Sequence, residues 1–522
     1  MFDSNRSSPL TAEVLVSSPG QPEPASHADL KSCSLDPEDW EVFRRLAHQA
    51  LDEMISRIAS VEERPVWQPL PSMVREKFER SLPVEGRDLS DVLADFWSNI
   101  EPFATGNRHP LFMGWVHGAG TPVGMVAEML SAGLNANCGG RDHVGLEVER
   151  QITRWAAEIF DFPSDASGIF VTGTSMANFL GLLVARNQLL GEGVRTDGLV
   201  TAGRQLVVYA SDQAHACISQ AVELAGIGSR NLRSIPTDWT GALVVEELEK
   251  AIAKDREEGR LPFLIVGTAG TVNTGAIDPL DHLADIARAY NAWFHVDGAF
   301  GALLGLSTRL RPRLKGIERA DSIAFDFHKW GHVPYDCGFF LVRDGEAHKS
   351  TFSSPAAYLA RAKKGLAAGE TWPCDLGPDL SRGFRALKVW LTFQTLGANR
   401  IAASIERCCD VAQYLEEKLR ALPIFEIVAP ARLNIVCWRV RKACHDDFNE
   451  AIVTDLHERG LAVPSMTTIR GRPAIRAAIV NHRTTEQHID SFIDAMIDVS
   501  CTQLDDPVSA SRNPDALPKL RT

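Results

Sequence analysis

The sequence predicts an α/β chain with a large, mostly parallel sheet covered on both faces by helices, a small α+β domain near the C-terminus and a helical arm near the N-terminus. Three observations carry this expectation. Between about 112 and 343, short apolar runs (GIFVTG, QLVVYAS, FLIVGTAGT, WFHVDGAF, SIAFDF, CGFFLVR) alternate with helix-patterned stretches, and runs too apolar to face water belong to a sheet buried on both sides. Beyond about 400 the texture changes to closely spaced strands and helices. The 522 residues, at roughly 100 to 200 per domain, allow two to four units, one of them large enough for an extensive core.

Taken in order, residues 1–35 are rich in Ser, Pro and small polar types that bury too little surface to offset chain entropy, and read as a disordered extension. From Asp36, DPEDWEVFRRLAHQALDEMISRIASV combines an acidic first turn with Trp40, Phe43, Leu46, Leu51, Ile55 and Ile58 at helical spacing, which opens an arm over 36–110. The large domain spans 111–395, with helices expected at 176–190, 218–225, 245–254, 280–290 and 383–396. In the small domain, 396–500, FEIVAPARLNIVCWRV reads as two strands and 450–459 and 487–499 as helices. Residues 501–522 read as a flexible tail. No internal repeat is present.

Composition excludes several classes of function. With 54 Lys+Arg against 67 Asp+Glu the net charge is −13, and 45% of residues are hydrophobic and 23% charged, a soluble globular balance. An acidic chain without a basic run interleaved with aromatics does not bind nucleic acid. The ten cysteines are scattered without a C-x-x-C pair, so they read as reduced thiols, no metal site is expected, and the expected compartment is the cytoplasm. The N-terminus lacks a charged segment leading into an apolar one, and the longest weakly charged stretch, 168–185, is interrupted by Thr, Ser, Asn and Gly. Neither a secretory signal nor a membrane span is expected.

The chemistry centres on Lys329 in DSIAFDFHKWGHVPYDCGFFL. A lysine just after an apolar strand and beside Phe327, His328 and Trp330 is partly desolvated, which favours a nucleophilic amine; alone it reads equally as an ordinary strand-end lysine. Asp297 in WFHVDGAFGALL ends another apolar strand at the same sheet edge, and a buried carboxylate needs a cationic partner such as a pyridinium nitrogen, unless it caps a turn. In GIFVTGTSMANFLGLLVAR a strand runs through Gly173, Thr174 and Ser175 into a helix, offering backbone N–H groups and hydroxyls to a phosphate. His215 in YASDQAHACISQAVELAG stands where it stacks on a planar ring or serves as a loop histidine. Thr271 in VGTAGTVNTGAIDPL brings a further hydroxyl, or closes its own turn.

The order of these elements resembles a pyridoxal phosphate enzyme of the large aspartate-aminotransferase-type fold (fold type I). The motifs SDQAHACISQA, GTAGTVNTGAIDPL, HVDGAFG, ADSIAFDFHKW and LSRGFRALKVW resemble those of the group II pyridoxal-phosphate-dependent amino acid decarboxylases, the family of aromatic-L-amino-acid, histidine and glutamate decarboxylases, continuously from about 36 to 499. The resemblance implies pyridoxal 5'-phosphate held by Lys329 as an internal aldimine, with Asp297 on the pyridinium nitrogen, His215 stacked on the ring and Ala299 packed against it. It puts Thr174, Ser175 and His328 around the phosphate and Thr271 nearby. The implied reaction converts an L-amino acid to its amine and CO2 through an external aldimine and a quinonoid. Tyr358 in FSSPAAYLARAKKGL stands at the position of the loop tyrosine that assists protonation at Cα.

Further implications concern substrate and assembly. Phe112, Trp115 and His117 in HPLFMGWVHGAG match the region lining the substrate side chain, and Arg382 in LSRGFRALK either helps to hold a carboxylate or makes a structural ion pair. The segment NANCGGRDHVGLEVER departs from the better-known aromatic decarboxylases: Arg141, Asp142 and His143 add polar groups that weigh against an aromatic substrate. The family implies a homodimer with its active site at the subunit interface, Phe112 and Trp115 in the shared pocket and the arm wrapped around the partner. Two other readings are a decarboxylation-dependent oxidative deaminase that makes an aldehyde, and a catalytically silent homologue acting as a binding partner.

Overall fold

The computed structural model describes residues 34–354, 360–369, 371–441 and 447–505. The expected disordered extension therefore lies, up to residue 33, outside the described residues, as does the tail from 506 onward. Two compact units are present, one reaching Met54 and the other running from Ile55. The described part of the first, residues 34–54, holds the beginning of the helix Trp40–Ala59, where the rings of Trp40 and Phe43 meet edge to face at 6.0 Å.

The second unit holds both sheets. The large one is built from β1 (Ser167–Val171), β2 (Leu206–Ser211), β3 (Leu232–Ile235), β4 (Leu261–Thr268), β5 (Trp293–Asp297), β6 (Ser322–Asp326) and β7 (Gly338–Val342), in the order β1-β7-β6-β5-β4-β2-β3. β3, β2, β4, β5 and β6 run parallel, and β7 is antiparallel to both β6 and β1. The connection from β6 to β7 contains no crossover helix, so the chain returns in the opposite direction. β1 points the same way as β6, and these six strands deliver their carboxyl ends to one edge, where ligands of such sheets bind.

The apolar runs of the sequence coincide with every strand of this sheet except β3, whose Leu-Arg-Ser-Ile is short, half polar and sits at the sheet edge. The helix Thr174–Leu190 packs across the middle strands and buries Ala177, Leu180, Gly181 and Val184. The small sheet is antiparallel, with β8 (Phe425–Ala429), β9 (Ile435–Val440), β10 (Ser465–Ile469) and β11 (Arg472–Ala478) in the order β10-β11-β9-β8. The hairpin of β10 and β11 is absent from the sequence reading. Its two-residue turn uses Arg470 and Gly471, both at positive φ (50° and 73°), a conformation that an Asn-Gly pair would announce and Arg-Gly does not. The last helix, Glu486–Asp505, runs past the expected boundary at 501 to the last of the described residues.

Among the described residues no helix is long and apolar enough to cross a membrane, no group of His, Cys, Asp and Glu is arranged to hold a metal ion, and the eight described cysteines are free thiols.

Candidate active site

At the carboxyl edge of the large sheet lies a cavity of about 380 Å³. Into it converge Gly173, Thr174 and Ser175 after β1, His215 and Cys217 after β2, Thr268 at the end of β4, Asp297 and Ala299 at the end of β5, and Asp326, His328 and Lys329 at the end of β6, with Trp115, His117 and Tyr335 along the wall. Strand alternation explains the acid on β5. Trp293, His295 and Asp297 share the face turned toward the helix Thr174–Leu190, while Phe294 and Val296 point into the opposite core.

Asp297 is buried, and its oxygens accept the Asn178 side-chain amide at 3.0 Å and the Ala299 backbone N–H at 3.2 Å. Burial pushes its carboxyl above the ordinary range; Lys329, Ala299, Asn178 and His215 pull it back. The ammonium of Lys329 lies 3.1 Å from Asp326 Oδ2, and the other oxygen of Asp326 accepts the Thr174 backbone N–H at 2.8 Å. Gly173 stands at the start of that helix with no side chain to cap it, so Asp326 does so from the end of β6. His328 accepts the Cys337 backbone N–H at Nδ1, stacks against Tyr335 with centroids 4.2 Å apart, and is pushed down to about 4 by burial, so its ring is neutral at ordinary pH. His215 accepts the Cys217 N–H at Nδ1 and stands exposed at the cavity.

The cavity fits a phosphorylated pyridine aldehyde. Thr174 Oγ1 is buried yet has no hydrogen-bond partner among the described residues, an arrangement that costs free energy unless a ligand completes it. Thr174 opens a helix of 17 residues, a site suited to an anion. Across the cavity the buried Asp297 carboxylate awaits a cation, and Lys329 supplies the amine.

Two of the sequence-derived residues lie elsewhere. Thr271 is fully buried, its hydroxyl 3.0 Å from that of Thr274 and accepting the Ala276 N–H; it closes its own turn, and the strand-end Thr268 reaches the cavity instead. Arg382 is enclosed by Glu149 (2.7 and 3.1 Å) and the carbonyls of Cys138 and Phe170. Both terminal nitrogens of its guanidinium are taken up by these protein partners, the structural ion pair of the two readings, which corrects the placement of Arg382 in the substrate pocket. Phe112 backs the wall, stacking on His117 at 5.7 Å, and His117 in turn stacks on Trp115 at 5.7 Å. Tyr358 lies outside the described residues.

The polar departures from the aromatic decarboxylases also find structural roles. Arg141 sits over the Trp372 ring at 4.7 Å and His143 caps the helix Val144–Ile159 through the Gly145 N–H. Neither lines the cavity. Asn178, Cys217, Asp326 and Tyr335 are site residues that sequence reasoning missed. A strand-end acid three residues before the lysine, and an asparagine inside the apolar run MANFLGLLV, were the available signals.

Residues 71–441 match the model of the pyridoxal-dependent decarboxylase conserved domain. The chain belongs to the pyridoxal-dependent decarboxylase family. It is thus an enzyme, a carboxy-lyase that takes pyridoxal phosphate and releases CO2 from an amino acid, as the motifs implied. It is 34% identical over 463 residues to an aromatic-L-amino-acid decarboxylase of Bacillus atrophaeus, covering 86% of this chain and 93% of that one. A phenylacetaldehyde synthase of Arabidopsis thaliana is 29% identical over 475 residues, 87% of this chain and 95% of the other. Among solved structures, the Oryza sativa TDC with PLP and tryptamine superposes with a TM-score of 0.82 at 26% identity, covering 90% of this chain and all of that one. These neighbours carry the fold type I architecture that the sequence predicts.

Proposed function

We propose that this decarboxylase acts on an aromatic L-amino acid. The observation that carries the reading is the ring wall Phe112–His117–Trp115, stacked on the side of the cavity that contains Lys329. Offset aromatic stacking favours a planar substrate side chain. Burial and the charge of Lys329 hold the His117 imidazole below its ordinary pKa, so the middle ring is neutral and apolar in character at pH 7. The aromatic substrates named for the relatives agree with this, and Arg141 and His143, two of the polar groups that weighed against it, are engaged outside the cavity.

In this reading Lys329 is the amine that carries the cofactor, Thr174, Ser175 and His328 hold its phosphate, His215 and Ala299 flank its ring, and Asp297 meets the ring nitrogen. Bound there, the cofactor supplies the electron sink for the pair left by the departing carboxylate. The chain's own residues do the rest. Asp297, as a carboxylate, stabilises positive charge on that nitrogen, Lys329 accepts and returns a proton as substrate displaces it, and Tyr358 donates the proton that makes the amine. Trp115, 52% exposed beside the cavity, and the outward Val126, Met129, Leu130 and Leu134 of the helix Pro122–Leu134 support a homodimer whose partner completes the pocket. A cytoplasmic location accords with the free thiols.

The test is a panel of L-amino acids assayed for CO2, amine and oxygen consumption with pyridoxal phosphate present. We expect Tyr, Trp, Phe or a hydroxylated relative to be turned over fastest, with one amine formed per CO2 and no oxygen used. Preference for Glu, Asp or a small polar amino acid overturns the aromatic reading, and ammonia matched to oxygen uptake replaces it with the oxidative deaminase. Lys329→Ala should lose the visible absorption of the bound cofactor. Met129→Glu with Leu130→Glu should sediment as an inactive monomer.

A further inference from the structure

Five polar side chains form a file along the inner face of β5 that ends on Asp297. Trp293 Nε1 donates to Ser322 Oγ at 2.8 Å; Ser322 Oγ lies 2.7 Å from His295 Nδ1; His295 Nε2 lies 2.8 Å from Asn178 Oδ1; Asn178 Nδ2 donates to Asp297 Oδ2 at 3.0 Å. Ser322, His295, Asn178 and Asp297 are all buried. None of Trp293, Ser322, His295 or Asn178 lines the cavity.

The donor and acceptor rules give this file one direction. An indole N–H only donates, so Ser322 Oγ accepts from Trp293 and turns its own proton to His295 Nδ1. That leaves Nδ1 bare and puts the histidine proton on Nε2, where it meets the Asn178 carbonyl. From the other end the answer is the same. An ionised Asp297 only accepts, so Asn178 must present its NH2 group, and its second amide proton goes to Cys217 Sγ at 3.3 Å. Its oxygen is thereby turned to His295. Burial drives the His295 ring down to about 3, so it stays neutral, with a single proton to place. Gly181, one turn beyond Asn178, makes room for the ring, since a Cβ there would lie 2.7 Å from His295 Cε1.

We propose that His295, set by Ser322 and acting through Asn178, is a positioning residue that keeps Asp297 ionised and aimed at the cofactor's ring nitrogen. This rests on the reading of Asp297 given above. Without the His295 donor, Asn178 is free to rotate its carbonyl toward Asp297, where oxygen faces oxygen and the carboxyl is driven to take up a proton in its buried site. A protonated Asp297 no longer favours a charged ring nitrogen. His295 thus influences the electron sink from two residues away, without touching cofactor or substrate.

The experiment compares the affinity of the apoenzyme for pyridoxal phosphate and for its 1-deaza analogue, in which carbon replaces the ring nitrogen, across variants. His295→Leu should weaken pyridoxal phosphate by about tenfold, the size of one charge-linked hydrogen bond, and the analogue by less than about twofold. His295→Gln, whose amide reproduces the Nε2 donor, should restore the affinity to within about threefold of the parent. Ser322→Ala, a milder change should His295→Leu fold poorly, should show the same selectivity in weaker form. Equal weakening of both ligands by His295→Leu, or no change in either, overturns the proposal. Asp297→Asn separates the two readings. If it discriminates between the ligands and His295→Leu does not, only the role of His295 falls; if it weakens both equally, the assignment of Asp297 falls and this proposal with it.

Discussion

Oδ1 of Asp326, the last residue of β6, accepts the backbone N–H of Thr174 at 2.8 Å, while Oδ2 lies 3.1 Å from Lys329. One carboxylate therefore caps the helix that starts the phosphate side of the cavity and anchors the lysine on the other side. Replacing it by Ala removes the cap that Gly173 lacks, and should lower the unfolding free energy of the apoenzyme by about 1–2 kcal/mol. Asp326→Asn keeps an acceptor and should recover much of that loss. Denaturant midpoints of the two apoenzymes decide the matter; an unchanged midpoint in Asp326→Ala would mean that the cap contributes nothing.

Arg382 presents the opposite case, a residue whose motif suggests substrate and whose surroundings are all protein. With Glu149 on one side and two carbonyls on the other, its loss strands a buried carboxylate. Arg382→Ala should destabilise by about 3–5 kcal/mol, and the fraction that folds should keep its KM. A raised KM at unchanged stability would return Arg382 to the substrate.

The contrast shows what a linear reading carries. Lys329, Asp297 and His328 are legible because apolar strands end at them, and strand ends of a parallel sheet share an edge. For Arg382 and Thr271 the sequence leaves a site role and a structural role open, because a motif gives neighbours in sequence but not the direction of a side chain, and that direction is set by packing between distant segments. Glu149, which claims Arg382, lies 233 residues away along the chain. The network behind Asp297 is hidden for the same reason. Asn178, His295 and Ser322 come from one helix and two strands, and only the register pairing His295 with Ser322 across β5 and β6 brings them into line. The hairpin of β10 and β11 fails to announce itself because Arg470 occupies a positive-φ position that usually selects Asn or Gly.

Buried neutral histidines should make the fold acid-sensitive in a window set by their own titration. His348 is fully enclosed, and burial drives it down to about 3. Its folded pKa is below the unfolded value near 6.5, so the unfolded chain binds the extra proton, and stability is lost as pH falls below about 6.5. Between pH 7 and pH 5 this one ring removes about 2 kcal/mol. Asp278, pushed up to about 6 by burial, acts in the opposite sense, because its folded form holds a proton that the unfolded form has released. His348→Gln should therefore lose less stability than the parent over this interval, by about that 2 kcal/mol. Denaturation curves at the two pH values provide the check, and identical losses would show that His348 is protonated in the fold.

Thr174 gives a prediction in which stability and affinity move in opposite directions. Its Oγ1 is buried without a partner among the described residues, so the apoenzyme bears the cost of an unsatisfied hydroxyl. Thr174→Val replaces that hydroxyl by a methyl of similar shape, and the apoenzyme should hold its stability or gain up to about 1 kcal/mol. The same change removes a donor to the cofactor's phosphate, and pyridoxal phosphate affinity should fall by about tenfold. Thr174→Ser keeps the hydroxyl and should bind nearly as well as the parent. Pyridoxal, which has no phosphate, should bind the parent and Thr174→Val alike. A drop in apoenzyme stability together with unchanged phosphate-dependent affinity would place the hydroxyl in the fold and move the phosphate away from the start of the helix Thr174–Leu190.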